Sequence, residues 1–198
     1  RTRAQQRRLE WALLALALFC LVAWLSPPQQ MGGLNHLVQD LGLRSLARPP
    51  HPDIVVIAVD DRSITSIGRW PWRRALHAQL VDVVTAQNPK AIGLDILFSE
   101  PDLDYPLDDA LLAQALARSQ RVVLPVLQRN QAGLTEATSE LPLDVLADAA
   151  AAMGHVHVAP DGDGVVRGLY LQEGPASAPW SHFSLALQCV AQQATVQC

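Results

Sequence analysis

Two nearly continuous aliphatic runs, residues 53–59 and 91–98, each lead into carboxylates and a turn, and a span with helical periodicity, 72–87, lies between them. Ile- and Val-rich runs of this length, without polar alternation, read as strands buried on both faces, and strands joined through a helix pair in parallel. The order predicts an α/β chain. Residues 72–87 place Leu76, Leu80 and Val83 at helical spacing, and Asn88 and Pro89 close that helix. The pattern continues with a helix over 107–119, a strand over 121–127 and an alanine-rich helix over 143–153 closed by Gly154. Residues 128–140 read as a polar loop. The turn Pro160-Asp161-Gly162-Asp163-Gly164 suits an antiparallel hairpin between 155–159 and 165–172, and 180–193 reads as the last helix. The predicted fold is a largely parallel sheet with flanking helices plus an antiparallel hairpin near the C-terminus, preceded by one transmembrane helix.

Arg1, Arg3, Arg7 and Arg8 precede 17 apolar residues, 9–25, whose only charge is Glu10. At ~1.5 Å per residue this run covers ~25 Å, and the ~30 Å hydrocarbon layer is reached if Arg8 snorkels and Ser26, Pro27 and Pro28 lie in the interface. Trp11 and Trp24 suit the interfaces. Arginines before the run, with no further positive charge until Arg44, place the amino terminus inside. A cleaved signal peptide is the competing reading, and both deliver the same outward domain. The expected organisation is a cytoplasmic tail over 1–8, a signal-anchor helix over 9–28, a connector over 29–52 and an extracytoplasmic domain over 53–198. The proline cluster Arg48-Pro49-Pro50-His51-Pro52 makes a stiff entry into that domain.

Beyond the tail and Glu10, 11 basic and 18 acidic residues remain. An acidic domain with scattered arginines offers no continuous basic stripe for phosphates, which argues against a nucleic-acid partner. Cys189 and Cys198 are the only cysteines there. In one unbroken helix they would lie ~13 Å apart, so a bridge between them requires the helix to end first.

If the first two strands are parallel neighbours, Asp60, Asp61 and the acids after Phe98 emerge at one carboxyl edge, where open α/β sheets bind ligands. Asp95 sits earlier in its strand and points toward the same edge. Asp60, Asp61 and Asp95 are thus weak candidates for a hard cation such as Mg²⁺ or Ca²⁺, or for an acid/base pair. In the plainer reading, Asp61 or Ser63 caps a short helix and Asp95 bonds backbone amides of a turn. Trp70 and Trp72, clamped about Pro71, either bury the start of the next helix or present an aromatic surface to a ligand or partner subunit. Asp60, Asp61, Ser63, Trp70, Trp72 and Asp95 form the candidate ligand-binding set. No catalytic residue or cofactor is assigned, since the chain lacks a G-x-S-x-G elbow, a P-loop and an H-E-x-x-H pair. His155 and His157 fall on one side of a strand, as two zinc ligands do, but no third ligand is evident. Turn chemistry explains Asp161-Gly162-Asp163-Gly164 better than a calcium loop does.

Several blocks resemble the type-two CHASE family of extracellular sensory domains on bacterial cyclases and histidine kinases. They are Ile57-Ala58-Val59-Asp60-Asp61 with Ser63, Gly68-x-Trp70-Pro71-Trp72, Leu94 to Pro101, Gly154-His155, and Asp161 to Arg167. The resemblance implies an input module at the cell inner membrane, single-pass in this chain, with its domain periplasmic or extracellular. It implies a cyclase or kinase domain outside this chain, and the expected mechanism is a homodimer whose packing shifts with a small ligand or an extracytoplasmic protein. Two rival functions fit the residues: a membrane-anchored, metal-dependent hydrolase built on the carboxylates, and a passive dimerisation module.

Overall fold

The computed structural model describes residues 3–25, 32–46, 48–129, 138–175 and 178–193. It divides into two units, Arg1–Ala58 and Val59–Cys198. The first holds helix α1, Arg3–Leu25, and helix α2, Gly32–Ser45, followed by irregular backbone. The described side chains of α1 are all exposed, among them Trp11, Leu14, Leu18 and Phe19. Among the described residues, no helix is long and apolar enough to cross a membrane. By that measure the expected transmembrane helix over 9–28 does not stand out as a span, and its last three positions lie outside the described residues.

The predicted first strand is a correction. Residues 54–59 run without strand pairing, and Ile54, Val55, Val56 and Ile57 are 61–83% exposed. A β-rich run becomes a strand only where neighbours fill its pleat, because β-propensity measures fit to a half-buried surface.

The second unit begins with helix α3, Asp61–Ile67, and helix α4, Arg74–Ala86, followed by strand β1, Ile92–Gly93. Helix α5, Pro106–Ser119, starts on a proline, whose fixed torsion suits a first helical position. Strand β2, Val122–Arg129, is the centre of the sheet. It pairs in parallel with β1 on one side and with strand β4, Ala152–His155, on the other. Its last residues turn to an antiparallel partner, strand β3, Thr138–Glu140. The predicted polar loop over 128–140 is therefore partly a ladder, and 130–137 lie outside the described residues. Pro125 stands in register with Gly154 of β4, past the end of the β1 pairing and before the β3 pairing.

Side chains of a strand alternate between faces, and both faces of β2 are covered. Val122 and Leu124 enter a core with Ala78 and Val81 of α4 and Leu112, Ala115 and Leu116 of α5. Val123 and Pro125 are fully buried out of phase with them. Helix α7, Phe183–Gln192, packs along β4, β2 and β1.

Three helix and hairpin expectations shift. Helix α4 buries His77, Ala78 and Val81, whereas Leu80 and Val83 are exposed, so the predicted apolar stripe is not the one that packs. Its buried row is the one that meets α5, and small Ala78 and Ala113 allow the two helices close approach. The alanine-rich helix shrinks to α6, Asp144–Ala147, because the following residues become β4, with Ala151 N donating to Val122 O at 2.8 Å. Ladder bonds and burial of Met153 outweigh alanine's helical preference. The antiparallel hairpin is present but lies later, between strand β5, Gln172–Glu173, and strand β6, Trp180–Ser181. Residues 160–164 still form a tight local turn, closed by Asp161 N to Val165 O at 2.9 Å.

Candidate functional site

Beyond the carboxyl end of β1 lies a cleft of about 590 Å³, bounded by residues 70–74 ahead of α4 and by the loop 96–105 ahead of α5. That volume is within the range of small-ligand pockets, ~300–1,000 Å³. Trp70 and Trp72 stand edge to face with ring centroids 5.5 Å apart, and the peptide bond between Trp70 and Pro71 is cis. The Trp72 indole donates to Gly68 O at 2.7 Å, which fixes its plane. Behind them His77, 2% exposed, touches Trp70, Trp72 and Phe98, with centroids 5.6, 6.4 and 5.5 Å away. Burial, aided by the nearby Arg74 charge, pushes the His77 imidazole below its ordinary pKa.

Two doublets hold the floor of the cleft together. Arg73 grips Asp108 in a fork, with Nε and Nη2 each 3.1 Å from a carboxylate oxygen, and its guanidinium lies 3.6 Å from the centre of the Tyr105 ring. Asp108 Oδ2 also accepts from Ala75 N at 3.2 Å, so a side chain from α5 caps the start of α4. This cap explains why α4 starts at Arg74 and not at the predicted Trp72. The Arg73 bond holds the Asp108 carboxyl below its usual range, against the opposing effect of burial. The same bond raises Arg73. Arg74 pairs with Asp109 and donates to Glu100 O. Asp109 Oδ2 in turn accepts from Asp102 N at 3.1 Å, and Asp102 Oδ1 accepts from Asp104 N and Tyr105 N at 3.1 and 2.9 Å. Both aspartates occupy the first turn of α5, where the helix dipole favours carboxylates.

A family model, the CHASE2 domain, matches residues 13–197. The chain belongs to the CHASE2 domain family. CHASE2 domains are extracellular sensory domains, which supports a sensor role for this chain. No curated protein and no solved structure matches the chain.

Of the six candidate residues, Trp70 and Trp72 line the cleft and the other four do not. Asp60 caps α3, accepting from Ser63 N at 2.8 Å and Ser63 Oγ at 2.6 Å, and the Ser63 hydroxyl bond holds its carboxyl below the usual range. The cap role anticipated for Asp61 or Ser63 thus belongs to Asp60. Asp61 and Asp95 are exposed. Among the described residues, Asp60, Asp61 and Asp95 do not form a group close enough to share one ion. The sequence reading missed Arg73, Arg74, Tyr105, Asp108 and Asp109. A usable signal was present: an arginine doublet and an aspartate doublet, 35 residues apart, each opening a helix.

Proposed function

We propose that this CHASE2 domain is the input module of a membrane-bound bacterial receptor, and that a small ligand or an extracytoplasmic protein occupies the Trp70–Tyr105 cleft. The observation that carries the reading is the cleft itself: aromatic walls on a floor where two ion pairs join the starts of α4 and α5. An occupant that engages Arg73 or Tyr105 acts on both helices at once. Such an occupant signals only if it binds two arrangements with different affinity.

In the same reading, residues 9–28 cross the inner membrane, residues 1–8 are cytoplasmic, and the remainder of the chain faces outward. The ring of exposed apolar side chains on α1, Trp11, Leu14, Leu18 and Phe19 among them, supports a lipid environment. Cys189 is disulfide-bonded, and disulfides persist in oxidising compartments. The receptor acts as a homodimer and relays the signal to a cyclase or kinase domain outside this chain.

Thermal unfolding of the chain against a library of metabolites and ions tests the cleft, because a ligand raises the midpoint by mass action. A midpoint rise that disappears in Trp70→Ala and Tyr105→Ala is expected. If no compound raises it, and the intact receptor carrying either substitution still answers its stimulus, the cleft is not the sensing site. Orientation is read separately: Leu103→Cys, at a position 85% exposed, should react with an impermeant maleimide in whole cells. Reaction only after permeabilisation would place the domain inside.

A further inference from the structure

Strand β4 ends in His155, which has no exposed surface and whose ring nitrogens make no well-formed hydrogen bond, a weak contact with the Tyr170 backbone aside. The ring of His182 meets it edge-on with centroids 5.1 Å apart, and the two residues form a parallel bridge. A single carboxylate oxygen, Glu173 Oε2 on β5, lies 2.7 Å from His157 Nδ1 and 3.7 Å from His155 Nδ1. Glu173, His182 and His157 are the ionisable groups that act on His155, and the Tyr170 backbone lies near its ring. His182 is committed elsewhere, since its Nδ1 accepts from Ser184 N at 3.2 Å and caps α7. Two imidazoles therefore share one carboxylate, which bonds His157 the more closely, and a third ring, His182, packs edge-on against His155.

We propose that His155, His157, Glu173 and His182 form an acid-responsive latch that closes the β5–β6 hairpin and the start of α7 onto the end of β4 at neutral pH and opens in acid. The closed state needs a neutral His155. Adding a proton there places a cation in a fully buried site, beside two other imidazoles, with one carboxylate oxygen 3.7 Å away to compensate it. Opening the hairpin gives each ring water instead. The latch joins elements that touch backbone to backbone: His182 N donates to Leu171 O at 2.8 Å, and Gly154 sits against the backbone of Phe183. Release at this point therefore loosens the hairpin and the first turn of α7 together. This device is separate from the aromatic cleft and goes beyond the proposed sensing role.

The pH window follows from the direction of the shift. Burial, the largest cause, lowers the His155 pKa below the ordinary 6.5, against a smaller raising effect from Glu173. The open state takes its proton near 6.5, so the latch is at full strength above that pH and weakens as pH falls toward the closed-state value. Each pH unit between 6.5 and the closed-state value favours opening by at most about tenfold for one histidine, and below the closed-state value the effect levels off.

Amide hydrogen exchange on the full chain, corrected for the intrinsic pH dependence of exchange, tests this. Protection at the His182 and Ala186 amides should fall by up to about fivefold between pH 6.5 and 5.5, while the Ile92 amide, bonded to Arg121 O in the β1–β2 ladder, stays constant as the reference. In His155→Gln the fall should vanish. Should that variant not fold, ring NMR of the unaltered chain reads the same group directly, with His155 titrating below 6.5. Equal protection at the two pH values, an undiminished fall in His155→Gln, or His155 titrating at or above 6.5 overturns the latch.

Discussion

Gly154→Ala should be the most damaging single-methyl change in the sheet. A Cβ at this position would lie 2.7 Å from Phe183 Cα, 2.9 Å from Phe183 N and 3.0 Å from Ser181 O. All three are backbone atoms, so no rotamer change relieves the clash. Restoring an ordinary contact of about 3.4 Å requires the end of β4 and the start of α7 to separate by roughly 0.7 Å, which loosens the cover over Val123 and Pro125. Overpacking of this kind costs ~1–3 kcal/mol, and a rigid neighbour puts it at the upper end, about 3 kcal/mol. For a chain of this size, that lowers the unfolding midpoint by about 6–12 °C. Gly162→Ala is the control, because nothing lies within 4 Å of a Cβ there. Its midpoint should stay within about 2 °C of the parent chain. Gly93→Ala should fall between the two, since its closest atoms are the side-chain ends Leu187 Cδ1 and Phe183 Cε1, which can turn away. If Gly154→Ala and Gly162→Ala melt together in calorimetry, the claimed backbone contact does not exist.

Asp108→Ala leaves the Ala75 amide uncapped and should cost about 1 kcal/mol in denaturant unfolding from that loss alone; Asp108→Asn, which keeps an acceptor, should cost less. His77 has a folded-state pKa below 6.5, so its contribution is fully present above that pH and is lost as pH falls. Its share of the acid sensitivity should disappear in His77→Phe in a series of melts between pH 5.5 and 7.5. Reducing the Cys189 disulfide should lower stability by about 2–4 kcal/mol, read as a shift in the urea midpoint with and without reductant.

The parts of the fold legible in the sequence are those where local preference and tertiary demand agree. Strand β2 is apolar on both faces because both faces are covered, and α5 opens on Pro106 and packs Leu112, Ala115 and Leu116 inward. Residues 149–153 misled because four alanines favour a helix wherever ladder bonds are not counted. Residues 53–59 misled because a strand needs a neighbour, which composition does not reveal. In α4, two apolar rows lie side by side, and hydrophobicity alone chose Leu76, Leu80 and Val83 over the row with His77 that packs. At the site, Trp70 and Trp72 were legible from their clamp about Pro71. The Arg73–Asp108 and Arg74–Asp109 pairs were not, because helix packing brings them together across 35 residues. Glu173 was missed beside His155 and His157 for the same reason: it arrives from another strand.

The two doublets also explain why a cleft can persist over buried carboxylates. Asp108 and Asp109 are at most 9% exposed, and a buried carboxylate without a cation would be costly. The first turn of α5 supplies part of the compensation, and Arg73 and Arg74 supply the rest. These arginines are therefore structural before they are recognition groups. The division of labour between them follows from exposure: the Arg74 side chain is 12% exposed and closed in, whereas that of Arg73 is 54% exposed and stacked on Tyr105 at the cleft wall. Only Arg73 is placed to exchange its aromatic or carboxylate partner for an incoming group. Any such exchange draws on Asp108, which caps α4, so a change at the cleft wall passes directly into the start of that helix.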